Sequence, residues 1–398
     1  MPDDLSPAEE KSIDLDLRDK AVIVKKNGET REVIRNLSGG AVIGDSVYLA
    51  DDEGRRLLHL RLVASRRYEI ADTVKMTALF DIADETDKKK EFDLEALAVD
   101  RIDEDTTRLW LIGSHAMGHA KPESGDLELK RVGLKRERNR LLFGCVDIDK
   151  NGPVKGSGRH LRIKPARETH TTEFLTALRT APPAAIGLLR EVSALAKISA
   201  DAGVGWFTPY TMASTKENGL DVEGLAIRRH AGDHATAVAL VGLRGPVIDG
   251  FAVLIEIRIR DHSKRGLKTV GKPRFHLLNL EGFGIRDLEW RDKDLLILAG
   301  PTMTRQRESA LFRWNGAWKN IAKGGKNVVE VNDIETIGSL RMPEDKSGPE
   351  VFTIVTPQEP EYMLLRDGIG KDRLRDQTGK ASDLGPVYHT EIYRIADR

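Results

Sequence analysis

Four short stretches of the chain set two carboxylates across one apolar residue: Asp93-Leu94-Glu95, Asp221-Val222-Glu223, Asp287-Leu288-Glu289 and Asp333-Ile334-Glu335. Residues two apart in a strand point to the same face. Each stretch therefore aims two acids one way and turns the residue between them the other way. If Glu95, Glu223, Glu289 and Glu335 converge, their repulsion must be relieved by protons, by protein cations or by a metal ion. Hard carboxylate oxygens suit calcium or magnesium better than zinc. The alternative is that the aspartates cap strand starts while the glutamates pair with a nearby arginine such as Arg244 or Arg286, since structural ion-pair networks use the same residues.

Two further residues belong with the acids. Arg244 sits in Gly242-Leu243-Arg244-Gly245-Pro246. Small flanking residues let a ligand approach, and a guanidinium grips phosphate or carboxylate in a bidentate way. A salt bridge between repeats would use it equally well. His115, in Gly113-Ser114-His115, could act as a general base near neutral pH, as histidine side chains do; the competing reading is a loop histidine facing solvent. His115 and His119, like His230 and His234, have His-x3-His spacing. Gly118 and Gly232 interrupt the helix that a zinc site of this kind would need.

The elements that must position these groups repeat as well. Each acidic stretch is followed by an apolar run that stops at a turn: Leu111-Ile112-Gly113, Val241-Gly242-Leu243, Ile297-Leu298-Ala299-Gly300-Pro301 and Thr353-Ile354-Val355-Thr356-Pro357. Asn36-Leu37-Ser38 begins a fifth copy with polar residues in place of the acids. The copies start at 36, 93, 221, 287 and 333. A four-stranded propeller blade takes about 40–50 residues, so only the step from 93 to 221 is too long for one blade. Its excess has a helical pattern, with Ile186, Leu189, Val192 and Leu195 three apart before Gly203.

The sequence thus predicts an all-β fold, a β-propeller of five blades with room for a degenerate sixth between Leu60 and Phe80 or within the insertion. The helical insertion is expected around 170–203, within 165–218. Residues 1–17 read as a disordered leader, and 18–398 as a single propeller domain. Two β-sandwiches joined near 165–205 are the alternative. Radial closure removes exposed strand edges. In a blade the first strand lines the channel and the second returns antiparallel. Glu95, Glu223, Glu289 and Glu335 are therefore expected at one channel mouth, with His115 and Arg244 just outside.

Composition narrows the partners. Lys plus Arg and Asp plus Glu both number 63, so no basic surplus points to nucleic acid or a membrane surface. The single cysteine, Cys145, lies in an apolar run and reads as a small buried hydrophobe. The N-terminus lacks the basic start and apolar stretch of a secretory signal. No apolar run nears the ~20 residues of a membrane span. A cytoplasmic location is the expectation.

The chain resembles the domain of unknown function 3616 family. The likeness rests on Phe92-Asp93-Leu94-Glu95-Ala96-Leu97 with Leu109-Trp110-Leu111-Ile112-Gly113-Ser114-His115, and on Gly219-Leu220-Asp221-Val222-Glu223-Gly224-Leu225-Ala226 with Val241-Gly242-Leu243-Arg244-Gly245-Pro246-Val247. A more distant similarity is to phytase-like and esterase-like propellers. That similarity implies calcium in or near the channel. Only Asp221-Val222-Glu223-Gly224 keeps their pattern in full; Ala96, Trp290 and Thr336 replace its glycine. Two functions stay open. One is a metal-dependent hydrolase of a small anionic (phospho)ester, with Glu95, Glu223, Glu289 and Glu335 on a divalent cation, Arg244 orienting the ligand and His115 as base. The other is a non-catalytic scaffold binding a protein or small ligand, with purely structural carboxylates.

Overall fold

In a computed structural model of the chain, residues 4–8, 12–17, 22–24, 30–33, 36–51, 55–81, 91–103, 106–119, 134–135, 137–161, 163–164, 171–172, 213–215, 218–262, 266–302, 308–325, 328–344, 347–356, 361–367, 374–375 and 387–395 are described. Their apolar runs are short, rich in Val, Ile and Leu, and divided by tight turns, so they form strands joined to their neighbours. The turn at Gly44-Asp45 is typical. Gly44 has φ +55°, and the flanking Ile43 and Ser46 pair directly.

Five antiparallel sheets result, each a blade. The first runs outward through Leu37–Ile43, Ser46–Asp51, Arg56–Ala64 and Arg67–Lys75. The second contains Leu94–Arg101, Thr107–Gly113 and Phe143–Asp149. The third contains Asp221–Arg228, Thr236–Gly245, Phe251–Asp261 and Leu267–Asn279. The fourth contains Gly284–Arg291, Asp294–Gly300, Ser309–Trp314 and Ile334–Leu340. The fifth contains Gly348–Thr356, Glu361–Asp367 and Glu391–Arg394. The first strand of each blade packs on the first strand of the next, and the fifth returns to the first.

The core is a ring of five hydrophobic slabs, one between each pair of neighbouring blades. Trp110 and Phe143 of the second blade meet Leu225 and Ile255 of the third, for example. Leu49 and Leu60 of the first meet Met363 and Leu365 of the fifth. The other three slabs join the first to the second, the third to the fourth and the fourth to the fifth. Five interfaces close the circle, so no sixth blade is interposed. The stretch from Leu60 to Phe80 instead supplies outer strands of the first blade and the short helix Met76–Leu79.

The expected leader is a second correction. Asp4–Leu5 pairs in parallel with the outer strand of the fourth blade. Asp14–Asp16 lies between Arg67–Lys75 and Val387–His389. Ile13, Leu15 and Leu17 are buried and alternate with polar residues, a period-two signal that the acidic composition masked. Both chain ends thus help hold the ring shut. The predicted helical insertion lies largely outside the described residues, which there include the pairing of Ile163–Lys164 with Thr171–Thr172 and a bridge from Ser214 to Met117. Among the described residues no helix is long and apolar enough to cross a membrane.

One contact sets the geometry of the site. A Cβ added to Gly284, at the start of the fourth inner strand, would lie 2.0 Å from the carbonyl oxygen of Arg244. The missing side chain lets the fourth blade lie directly on the strand end that carries Arg244. Gly284→Ala is expected to cost about 1–3 kcal/mol by overpacking. Urea denaturation reads this, and an unchanged midpoint would contradict the close approach.

Candidate functional site: an acidic mouth at the head of the channel

Every inner strand is bulged near its start. The pairing with the second strand skips Ser38, Glu95, Glu223, Arg286 and Glu350, one in each blade. A bulge opposes two residues to one and re-aims a side chain. Ser38, Glu95, Glu223 and Glu350 line a cavity of about 230 Å³ at this mouth, together with Asp93, Asp221, Arg140, Arg244 and Asp367.

This register differs from the expected one in two blades. In the fourth, the bulged residue is Arg286, and Glu289 lies three residues further along the channel. In the fifth, the inner strand carries Glu350. Glu335 belongs to an outer strand of the fourth blade, where it pairs in register with Arg313. The structure brings Glu95 and Glu223 together and separates Glu289 and Glu335 from them. An acid-apolar-acid triplet fits any strand with one wetter face, which is why Asp333-Ile334-Glu335 imitated the motif. Glu350 and Asp367 gave no repeat signal, because Gly348 stands where the second and third blades carry Asp93 and Asp221.

Arginines neutralise much of the mouth. Glu223 meets Arg244 at 2.6 Å and Arg286 at 3.1 Å. Arg286 also meets Glu350 at 2.6 Å. Arg244 pairs with Asp221 as well. Arg140 holds Asp93 at 3.1 Å, and the Ser114 hydroxyl donates to the same carboxylate. This is the arginine pairing named above as the alternative to a metal. Arg244 spans two carboxylates within one blade, and Arg286 links the third blade to the fourth and fifth. Asp221 and Glu223 are only 3 % and 4 % exposed. Their Asp221 Oδ2 and Glu223 Oε2 atoms lie against guanidinium groups without accepting a well-formed hydrogen bond.

Burial pushes the Glu223 carboxyl up to about 8; Arg244 and Arg286 oppose the rise, while Glu350 and Asp221 add to it. Burial also raises Asp93 against the pull of Arg140 and Ser114. Arg244 is raised: burial works against its charge, but Asp221 and Glu223 outweigh it. The mouth therefore relieves its crowding with both arginines and protons.

His115 is fully buried in the wall of the second blade. Its Nδ1 lies 2.8 Å from the Gly113 carbonyl, and its backbone N–H donates to the carbonyl of Arg140. It braces the segment that brings Arg140 to Asp93, and its neighbour Ala116 lines the cavity. Cys145 is buried, with its thiol pushed up to about 12 by burial.

The donor set is chemically right for a hard cation, but its geometry is not that of a finished cage. Among the described residues no three carboxylates, histidines or cysteines converge closely enough to hold a metal ion. A divalent ion here would keep much of its own water.

Glu289 has another task. Its Oε2 accepts from the Thr353 hydroxyl at 3.1 Å and the Ile354 N–H at 3.2 Å. Asp287 accepts the N–H of Phe352 at 2.7 Å. The acidic pair of the fourth blade thus clasps the backbone of the fifth blade's inner strand. Burial pushes Glu289 up to about 7 and Asp287 well above the usual carboxylate range, although the backbone N–H groups oppose this.

A propeller with an axial acidic mouth is the class that fold and site define. Residues 36–383 match the model of a protein family of unknown function, DUF3616, and the chain belongs to that family. No curated protein matches the sequence. Among solved structures, the chain is similar to a B. megaterium levansucrase (8% identity, TM-score 0.44, covering 100% of this chain and 92% of that one). It is also similar to the Bacillus subtilis arabinanase Arb43A (10% identity, TM-score 0.40, covering 92% and 95%). A periplasmic gluconolactonase of Pseudomonas aeruginosa gives 10% identity and a TM-score of 0.34, covering 97% and 99%. At such distances no activity is carried over from them.

Proposed function

We propose that the protein is a ligand-binding propeller whose acidic mouth captures a small cation, either a hydrated divalent ion such as calcium or magnesium or an organic ammonium group. The observation that carries this reading is the surplus of carboxylates at the cavity, where even Asp221 Oδ2 and Glu223 Oε2, ion-paired to Arg244 and Arg286, lack a well-formed hydrogen bond. Six carboxylates line that cavity beside two arginines, so the local balance favours positive charge. A free anionic ester would be repelled. Hydrolysis of such an ester therefore requires the cation first, and Glu223, freed of its proton by that cation, is then a base rather than a proton donor. The scaffold reading keeps the same contacts and assigns them to stability alone.

Calorimetric titration of chelator-stripped protein with calcium chloride, magnesium chloride and putrescine separates these readings. Saturable binding is expected with at least one of them. It should release protons, visible as a dependence on buffer ionisation heat, because the cation displaces the proton on Glu223. Glu350→Gln should weaken binding roughly tenfold, the effect of about 1.4 kcal/mol. Absence of heat and of any thermal shift with all three leaves only the scaffold.

A further inference from the structure

The channel widens beyond the bulges into a second cavity of about 700 Å³, within the range of small-molecule sites. Its width has a sequence cause. Three residues past the bulge, the blades carry Ala41, Ala98, Ala226, Glu289 and Thr353, and all of them line the cavity. Four small side chains leave the room that Glu289 faces. Its carboxylate is held there by the Thr353 hydroxyl and the Ile354 N–H, and the backbone N–H of Trp290 bonds to it as well. Apolar side chains including Val42, Leu97, Ile227 and Ile354 supply the rest of the wall.

The charge balance here is the reverse of that at the mouth. Four arginines line the cavity against three carboxylates, Asp100, Glu289 and Asp292. Arg229 is taken up by Asp100, at 2.8 Å. Arg101, by contrast, is exposed at the end of its strand. Arg228 lies over the rings of Trp290 and Trp318, 5.2 and 4.9 Å from their centroids. Trp290 also lines the cavity, and its indole N–H is buried with no hydrogen-bond partner among the described residues. A buried donor left without a partner is costly, and an acceptor that reached it would relieve that cost.

We propose that this wide end of the channel is a second binding site, for a small amphiphilic anion. The apolar body would fill the space over the alanines, and the acid group would face Arg101, Arg228 and the Trp290 N–H. This assignment stands independently of cation binding at the mouth.

The probe is octanoate, with octanol and octyltrimethylammonium as charge controls, followed by calorimetry and by the indole N–H resonances of the five tryptophans. Saturable one-to-one binding of octanoate is expected, with the largest shift at the indole signal that Trp290→Phe removes. Arg101→Glu and Trp290→Phe should each weaken binding roughly tenfold. Arg101 is an exposed side chain, so that variant should melt like the parent. No saturable binding of octanoate overturns the proposal. Equal binding of octanol or octyltrimethylammonium overturns it too, as does undiminished affinity in both variants.

Discussion

Arg286→Leu is expected to destabilise the protein by about 3–5 kcal/mol, the cost of leaving buried carboxylates without their partner. The Arg286 guanidinium meets Glu223 at 3.1 Å and Glu350 at 2.6 Å, and its removal takes that cation from Glu350 and leaves Glu223 to Arg244 alone. It is also the one bulged residue of opposite charge in a ring that otherwise holds Ser38, Glu95, Glu223 and Glu350. Adding Glu223→Gln and Glu350→Gln should recover most of the loss, because the uncompensated charges go with the arginine. Urea denaturation of the single and triple variants measures both. A cost below about 1 kcal/mol would mean that the ring behaves as a solvated surface network.

Glu289→Gln should stabilise the protein at pH 8 and have little effect at pH 5. Burial raises the folded carboxyl to about 7 from its ordinary value of 4.5. The folded state therefore holds a proton that the unfolded chain has already released between those limits. Stability contributed by this group is present below the unfolded value and is lost as pH rises towards 7. The difference corresponds to an upper bound of about 3 kcal/mol. Glutamine is uncharged, and its carbonyl can still accept from Thr353 and the Ile354 N–H, so the clasp survives. Glu223, Asp93 and Asp287 shift in the same direction. The comparison of variant with parent at each pH isolates Glu289. Equal stability differences at pH 5 and pH 8 would remove the idea.

Much of this architecture is legible in the sequence alone. Alternating apolar residues, turn chemistry and the recurring acid-apolar-acid starts identify an all-β propeller, because strand period and turn geometry are local properties of the chain. The same local signal identifies Glu95, Glu223 and Arg244 as neighbours: start and end of adjacent antiparallel strands share a rim. It also named Arg244 and Arg286 as cations able to neutralise the acids.

What sequence could not decide is register, and register is tertiary. Asp287-Leu288-Glu289 and Asp333-Ile334-Glu335 repeat the motif, yet the first sits beyond its bulge and the second on an outer strand. A bulge shifts one residue at no visible cost in composition, so the true members of the ring, Arg286 and Glu350, emerge only when each inner strand is paired with its neighbour. The same holds for Asp14–Asp16, whose strand exists because two distant segments flank it. Hydrophobic alternation tells each strand which face to bury. Only the closed ring of interfaces tells it which partner and which charge stand opposite.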